Sequence, residues 1–128
     1  MNTLSQVLEA NKCFVFQSKI DSYTSISKVS KVPSRSIAIL TCMDTRLVDF
    51  LEPALGIKRG EAKVIKNAGN SVTGPFSATI RNLLISIFEL GVNEVLVIGH
   101  LDCGIRQYGA EHGERRLHLC IPRRHSGA

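Results

Sequence analysis

Two short stretches carry residues whose types and spacing could do chemistry: "TCMDTR" from Thr41 to Arg46, and "GHLDCG" from Gly99 to Gly104. Each follows an apolar run that reads as a buried strand. Cys42, His100 and Cys103 together make two thiolates and one imidazole, a three-ligand zinc set that leaves a fourth position for water or substrate. A closed structural site would want a fourth cysteine or histidine at comparable spacing, and none stands near these segments. Singly, each cysteine would read as a small packing hydrophobe and the histidine as a satisfied polar group. It is the joint pattern that favours a metal. Gly99 and Gly104 are expected to bend the backbone so that His100 and Cys103 turn inward together.

Asp44 and Arg46 stand at i+2 and i+4 from Cys42, so the three share one direction if the chain stays extended. An aspartate there could fill the metal's fourth position or hold the water that does. An arginine beside it favours its ionised form and can draw it off the metal through a bidentate pair. The alternative is an ordinary surface ion pair of small worth.

The elements that must position these residues can be read from periodicity. An amphipathic helix is expected over Thr3–Gln17, then a polar connector from Ser18 to Ser36 through which Pro33 forbids helix. Ser36–Leu40 reads as a strand covered on both faces, and Leu47–Leu55 as a short helix disturbed at Pro53. Ala62–Lys66 reads as a less apolar strand near a sheet edge. Phe76–Leu90 is the clearest helix, with Ile80, Leu83, Leu84, Ile87 and Phe88 on one face, Pro75 in its first turn and Gly91 as its cap. Glu94–Gly99 is a third strand. Strands alternating with helices give an α/β fold with a parallel β-sheet core and flanking helices, and ligands of such sheets gather beyond the carboxyl ends of the strands.

With these segments in order, "CMDTR", "KNAGN" (Lys66–Asn70) and "GHLDCG" together resemble the beta-class carbonic anhydrases, from the first helix to about Ile105. The resemblance implies Zn2+ held by Cys42, His100 and Cys103, with Asp44 and Arg46 as a gating dyad. Asn67, Ala68 and Gly69 would line the pocket. The implied reaction is reversible hydration of CO2 to bicarbonate by a zinc-held hydroxide, Asp44 orienting it while Arg46 keeps Asp44 off the metal. Hydrolysis of CS2 or COS on the same fold, and a non-catalytic zinc-binding remnant or regulatory subunit, are the alternatives. Subunits of that family pair as dimers through an N-terminal helical arm, so a homodimer or higher oligomer is expected.

Composition sets outer bounds. The 128 residues are 44% hydrophobic and 21% charged, which suits one globular domain. No apolar run approaches the ~20 residues of a membrane span, and the N-terminus lacks a signal pattern, so a cytoplasmic protein with reduced thiols is expected. The net charge of +5 is scattered, without an aromatic platform, and nucleic acid is not expected as a partner.

Residue usage changes after Ile105. All seven lysines occur by Lys66, whereas five of nine arginines and three of four histidines follow Ile105. Residues 1–105 are therefore read as the zinc domain, and 106–128 as an atypical, disordered basic tail of out-of-frame or foreign origin, with the C-terminal part of the fold missing or altered. His112, His118, Cys120 and His125 match no zinc spacing.

Overall fold

The structure is a computed structural model of the chain and describes residues 2–20, 29–107 and, for the backbone, 118–120. The chain divides into two units, one running to Ser30 and one beginning at Lys31. The first unit is helix α1 (Thr3–Ile20), three residues longer than the expected span. Asn2 caps it, its Oδ1 accepting from the Ser5 N–H at 2.9 Å. Leu4, Val7, Leu8, Phe14, Val15 and Phe16 are all exposed along it.

The second unit holds strands β1 (Ile37–Cys42), β2 (Ala62–Asn67), β3 (Glu94–Ile98) and β4 (His118–Cys120), with helices α2 (Leu51–Ala54), α3 (Ala78–Phe88) and α4 (Gly104–Gln107). The strand order is β2-β1-β3-β4. β1 runs parallel to both neighbours, with Cys42 opposite Asn67 on one side and Thr41 opposite Ile98 on the other. The parallel core and the edge position of the less apolar β2 agree with the sequence reading. β4 pairs antiparallel with β3. Three residues are too few to show a periodicity, which is why no strand was legible in the basic tail; residues 108–117 and 121–128 of that tail lie outside the described residues.

β1 is buried along nearly its whole length, as its aliphatic run requires when both faces are covered. Ala38, Val92 and Val95 form a core cluster against which Leu83, Ile87 and Val97 pack. A second cluster joins Cys42, Leu47 and Cys103, so both thiols lie in an apolar setting at the strand ends.

Several boundaries differ from the sequence reading for local reasons. β1 continues two residues past Leu40, so that Cys42 is its last residue. The expected Leu47–Leu55 helix is instead a 3-10 turn at Thr45–Leu47 and a separate α2, parted at Asp49, whose φ is +51°. Pro53 sits in the first turn of α2, where its missing N–H removes no helical bond, and so does not disturb it. Helix α3 starts after Ser77, whose side chain accepts from the Ile80 N–H, leaving Pro75 outside the first turn. At its other end Gly91 adopts φ +68°, and the Val92 N–H turns back to the Ser86 carbonyl at 3.0 Å.

The buried face of α3 is Thr79, Leu83, Ser86 and Ile87, while Leu84 and Phe88, expected inward, are exposed. A stripe of five apolar positions spans more than one face, and the most buried positions of the helix are the small Thr79 and Ser86. Leu40→Ala should cost about 2–5 kcal/mol of stability, and Leu84→Ala less than about 1 kcal/mol, in urea unfolding.

Candidate metal centre

The connection from β1 leads to β2 on one side of the sheet, and that from β3 leads to β4 on the other. The gap between the carboxyl ends of β1 and β3 is therefore a topological switch point, where such sheets place ligands. Cys42 ends β1, and His100 and Cys103 follow β3 by two and five residues. Their ligand atoms, two Sγ and one imidazole nitrogen, lie within 4.8 Å of one another. The structure thus brings together the three residues that the sequence placed at two strand ends.

The donor chemistry can be tested for fit. The Cys42 and Cys103 sulfurs are 3.8 Å apart. Two sulfurs bound at ~2.3 Å to a common tetrahedral zinc would lie ~3.8 Å apart. The His100 Nδ1 contacts the Leu101 carbonyl at 2.8 Å, which fixes the ring with Nδ1 as the donor. Its Nε2 is buried and has no hydrogen-bond partner among the described residues. A buried polar atom left open beside two thiols is what a metal would satisfy. The residues fit zinc.

Asp44 and Arg46 stand beside this trio, but not by an extended strand. The strand stops at Cys42, and Asp44 caps the 3-10 turn that follows. Its Oδ1 accepts from the Arg46 backbone N–H and Nε, both at 2.9 Å, and its Oδ2 accepts from Nη2 at 2.8 Å. The i+2 spacing works because a carboxylate at an N-cap meets the backbone of the next turn. Side-chain hydrogen bonds from Arg46, and then its backbone N–H, hold the Asp44 carboxyl well below the usual carboxylate range. The same bonds raise the Arg46 guanidinium. Asp44 Oδ2 is also 3.7 Å from the His100 Nε2.

The bend between His100 and Cys103 has a different origin from the one expected. Gly99 and Gly104 do not take positive φ; the left-handed residue is Asp102, at φ +55°. Its carbonyl accepts from Arg46 Nη2 at 2.9 Å, and its carboxylate is 3.4 Å from Nη1. Sequence reasoning missed this residue. The available signal was its type, since Asp tolerates the left-handed region better than most residues.

A cavity of about 500 Å³ opens over these groups, lined by Cys42, Asp44, Arg46, Ala68, Cys103 and Ile105 among others. Of the loop residues named from the sequence, Ala68 is on its wall. Asn67 directs its amide to the Ser71 carbonyl at 2.6 Å and to Thr79 Oγ1 at 2.7 Å, clasping the loop to α3. Gly69 is buried against α4: a Cβ there would lie 3.0 Å from Ile105 Cγ2, and φ is +72°. Only glycine suits both demands.

The fold and site define a parallel α/β domain with a Cys-His-Cys trio at its switch point that could hold a metal ion. The carbonic anhydrase family model matches residues 37–120. Beta-carbonic anhydrase 1 of Mycobacterium tuberculosis is 44% identical over 85 residues, covering 66% of this chain and 49% of the relative. The crystal structure of beta-carbonic anhydrase isoform I from Trichomonas vaginalis superposes with a TM-score of 0.71 at 47% identity, covering 81% of this chain and 55% of that one. A carbon disulfide hydrolase of Saccharolobus solfataricus is 36% identical over 85 residues, 66% of this chain and 39% of the relative. The chain belongs to the carbonic anhydrase family, in its beta class. It spans about half the length of the curated relatives it matches. Among the described residues, no helix is long and apolar enough to cross a membrane.

The Asp44–Arg46 pair makes a pH-dependent contribution to stability. A depressed folded-state pKa stabilises above the ordinary carboxylate range, and the benefit is lost as pH falls through the lower folded value. In thermal unfolding of the metal-free chain, Asp44→Asn should therefore melt lower than the parent at pH 7, the difference narrowing below about pH 4.

Proposed function

We propose that this chain carries the zinc site of an enzyme that interconverts CO2 and bicarbonate, with Cys42, His100 and Cys103 as the ligands. The observation that carries this reading is the trio itself: two sulfurs 3.8 Å apart beside a buried imidazole Nε2 that has no hydrogen-bond partner among the described residues. Bound zinc would supply the Lewis acidity that makes water nucleophilic at neutral pH. The chain's own residues supply orientation. Asp44, kept ionised by Arg46, accepts a hydrogen bond from a water in the cavity and fixes where its lone pair points. Arg46 occupies both Asp44 oxygens and so keeps the carboxylate from becoming a fourth ligand. Ala68 and Ile105 offer apolar wall to CO2, while Asn67 and Gly69 hold the loop that carries that wall.

The likeness to carbon disulfide hydrolases keeps CS2 and COS as a second reading, since an apolar cavity suits those substrates equally. Two ligand thiols suit a reducing compartment such as the cytoplasm. The exposed Leu4, Val7, Leu8 and Phe16 on α1 support a homodimer, in which that apolar surface would be covered.

Stopped-flow CO2 hydration, on the full chain with zinc measured at about one per chain, tests the reading. The expected result is turnover that Cys103→Ser abolishes together with zinc binding. Asp44→Asn should keep zinc and lose at least about tenfold in turnover. Zinc without CO2 turnover, and without CS2 turnover in a parallel assay, would replace the enzymatic reading by the non-catalytic zinc-binding one.

A further inference from the structure

The Arg46 guanidinium is more than half exposed and yet bonded to both Asp44 and Asp102. Nη2 donates both to Asp44 Oδ2 at 2.8 Å and to the Asp102 main-chain carbonyl at 2.9 Å. Nη1 reaches the Asp102 carboxylate only at 3.4 Å, and that side chain is 69% exposed. A long ion pair in water holds little, whereas a short bond to a carbonyl fixed in the backbone sets a position.

We infer that Asp102 is a positioning residue acting through its main chain. The left-handed φ of +55° turns its carbonyl toward Arg46, and that contact, more than its carboxylate, holds the guanidinium against Asp44. The chain between His100 and Cys103 thereby both carries two of the three ligand residues and sets the orientation of the dyad that follows the third. This rests on the proposed role of Asp44 and Arg46 as the dyad.

The residue type follows from the conformation. Left-handed backbone is disfavoured for residues with a Cβ, is open to glycine, and is tolerated by Asn and Asp, whose short polar side chains can bond locally. Position 102 should therefore accept Gly or Asn with the carbonyl contact kept. Alanine, which has neither property, should let the turn relax and the carbonyl swing off Nη2.

Hydrogen exchange at the Arg46 Nε–H, read by NMR on the metal-free full chain, tests the proposal without depending on catalysis. Asp102→Gly and Asp102→Asn should exchange within about twofold of the parent, and Asp102→Ala about tenfold faster or more. In the zinc-loaded chain the Ala variant should lose CO2 turnover at unchanged zinc content, and the Gly and Asn variants should retain it. Fast exchange in the Gly or Asn variant would overturn the proposal, because the carboxylate would then be the holding group. So would an Ala variant as slow as the parent. A parent chain that binds zinc without turning over CO2 would remove the enzymatic reading, while the exchange data would still decide whether the Asp102 carbonyl holds Arg46.

Discussion

The register of β3 on β1 is the constraint from which the site follows. Thr41 lies opposite Ile98, so the chain leaves β3 level with the end of β1 and places His100 and Cys103 beside Cys42. A slip of one residue would turn every β3 side chain to the other face, and a slip of two would carry the loop about 6.6 Å along the sheet. Either displacement exceeds what a trio held within 4.8 Å can absorb. The burial that fixes the register is ordinary: Ala38 and Val95 face Val92, Leu83 and Ile87 in one cluster. The meeting of the trio is in this sense a by-product of aliphatic packing some distance from it.

Around the trio, the division of labour is between a dry half and a wet half. Cys42 and Cys103 are 4% and 5% exposed and pack on Leu47, whereas Arg46 is more than half exposed. A desolvated, apolar setting would favour a bound cation over free thiolates at these two positions. The Asp44–Arg46 pair takes its hydrogen-bond geometry from the N-cap position of Asp44, within three residues of chain. Clasping the loop after β2 to α3 through Asn67, Ser71 and Thr79 then holds Ala68 at the cavity wall.

What the sequence disclosed and what it hid divide along the same physical lines. Apolar runs and residue types disclosed the parallel core, the edge position of β2 and the meeting of Cys42, His100 and Cys103, because burial and donor chemistry are properties of residue type. Backbone conformation was hidden. Gly99 and Gly104 suggested a bend that Asp102 makes, since a left-handed residue is enabled by its type but decided by the tertiary contact it completes. The face of α3 was misread for a related reason. Leu84 and Phe88 continue the apolar spacing, yet the buried positions are the smaller Thr79 and Ser86. Asn67 is expected to line the pocket, and the structure shows its amide closing the loop beside it.

Exposure at the rim sets the medium in which the charges around the cavity act. With Arg46, Met43 and Ile105 all more than half exposed, charges at the cavity mouth work in a high effective dielectric, where field strength counts for less than in a sealed pocket. Under that condition the Asp44–Arg46 pair matters mainly through direction: which oxygen of Asp44 is turned toward the trio. Direction is set by the number of bonds on the guanidinium and by how firmly their acceptors are fixed. Arg46 has one such acceptor in the turn that follows Cys42 and another in the chain between His100 and Cys103. A guanidinium tied to both loops therefore couples their positions to one another.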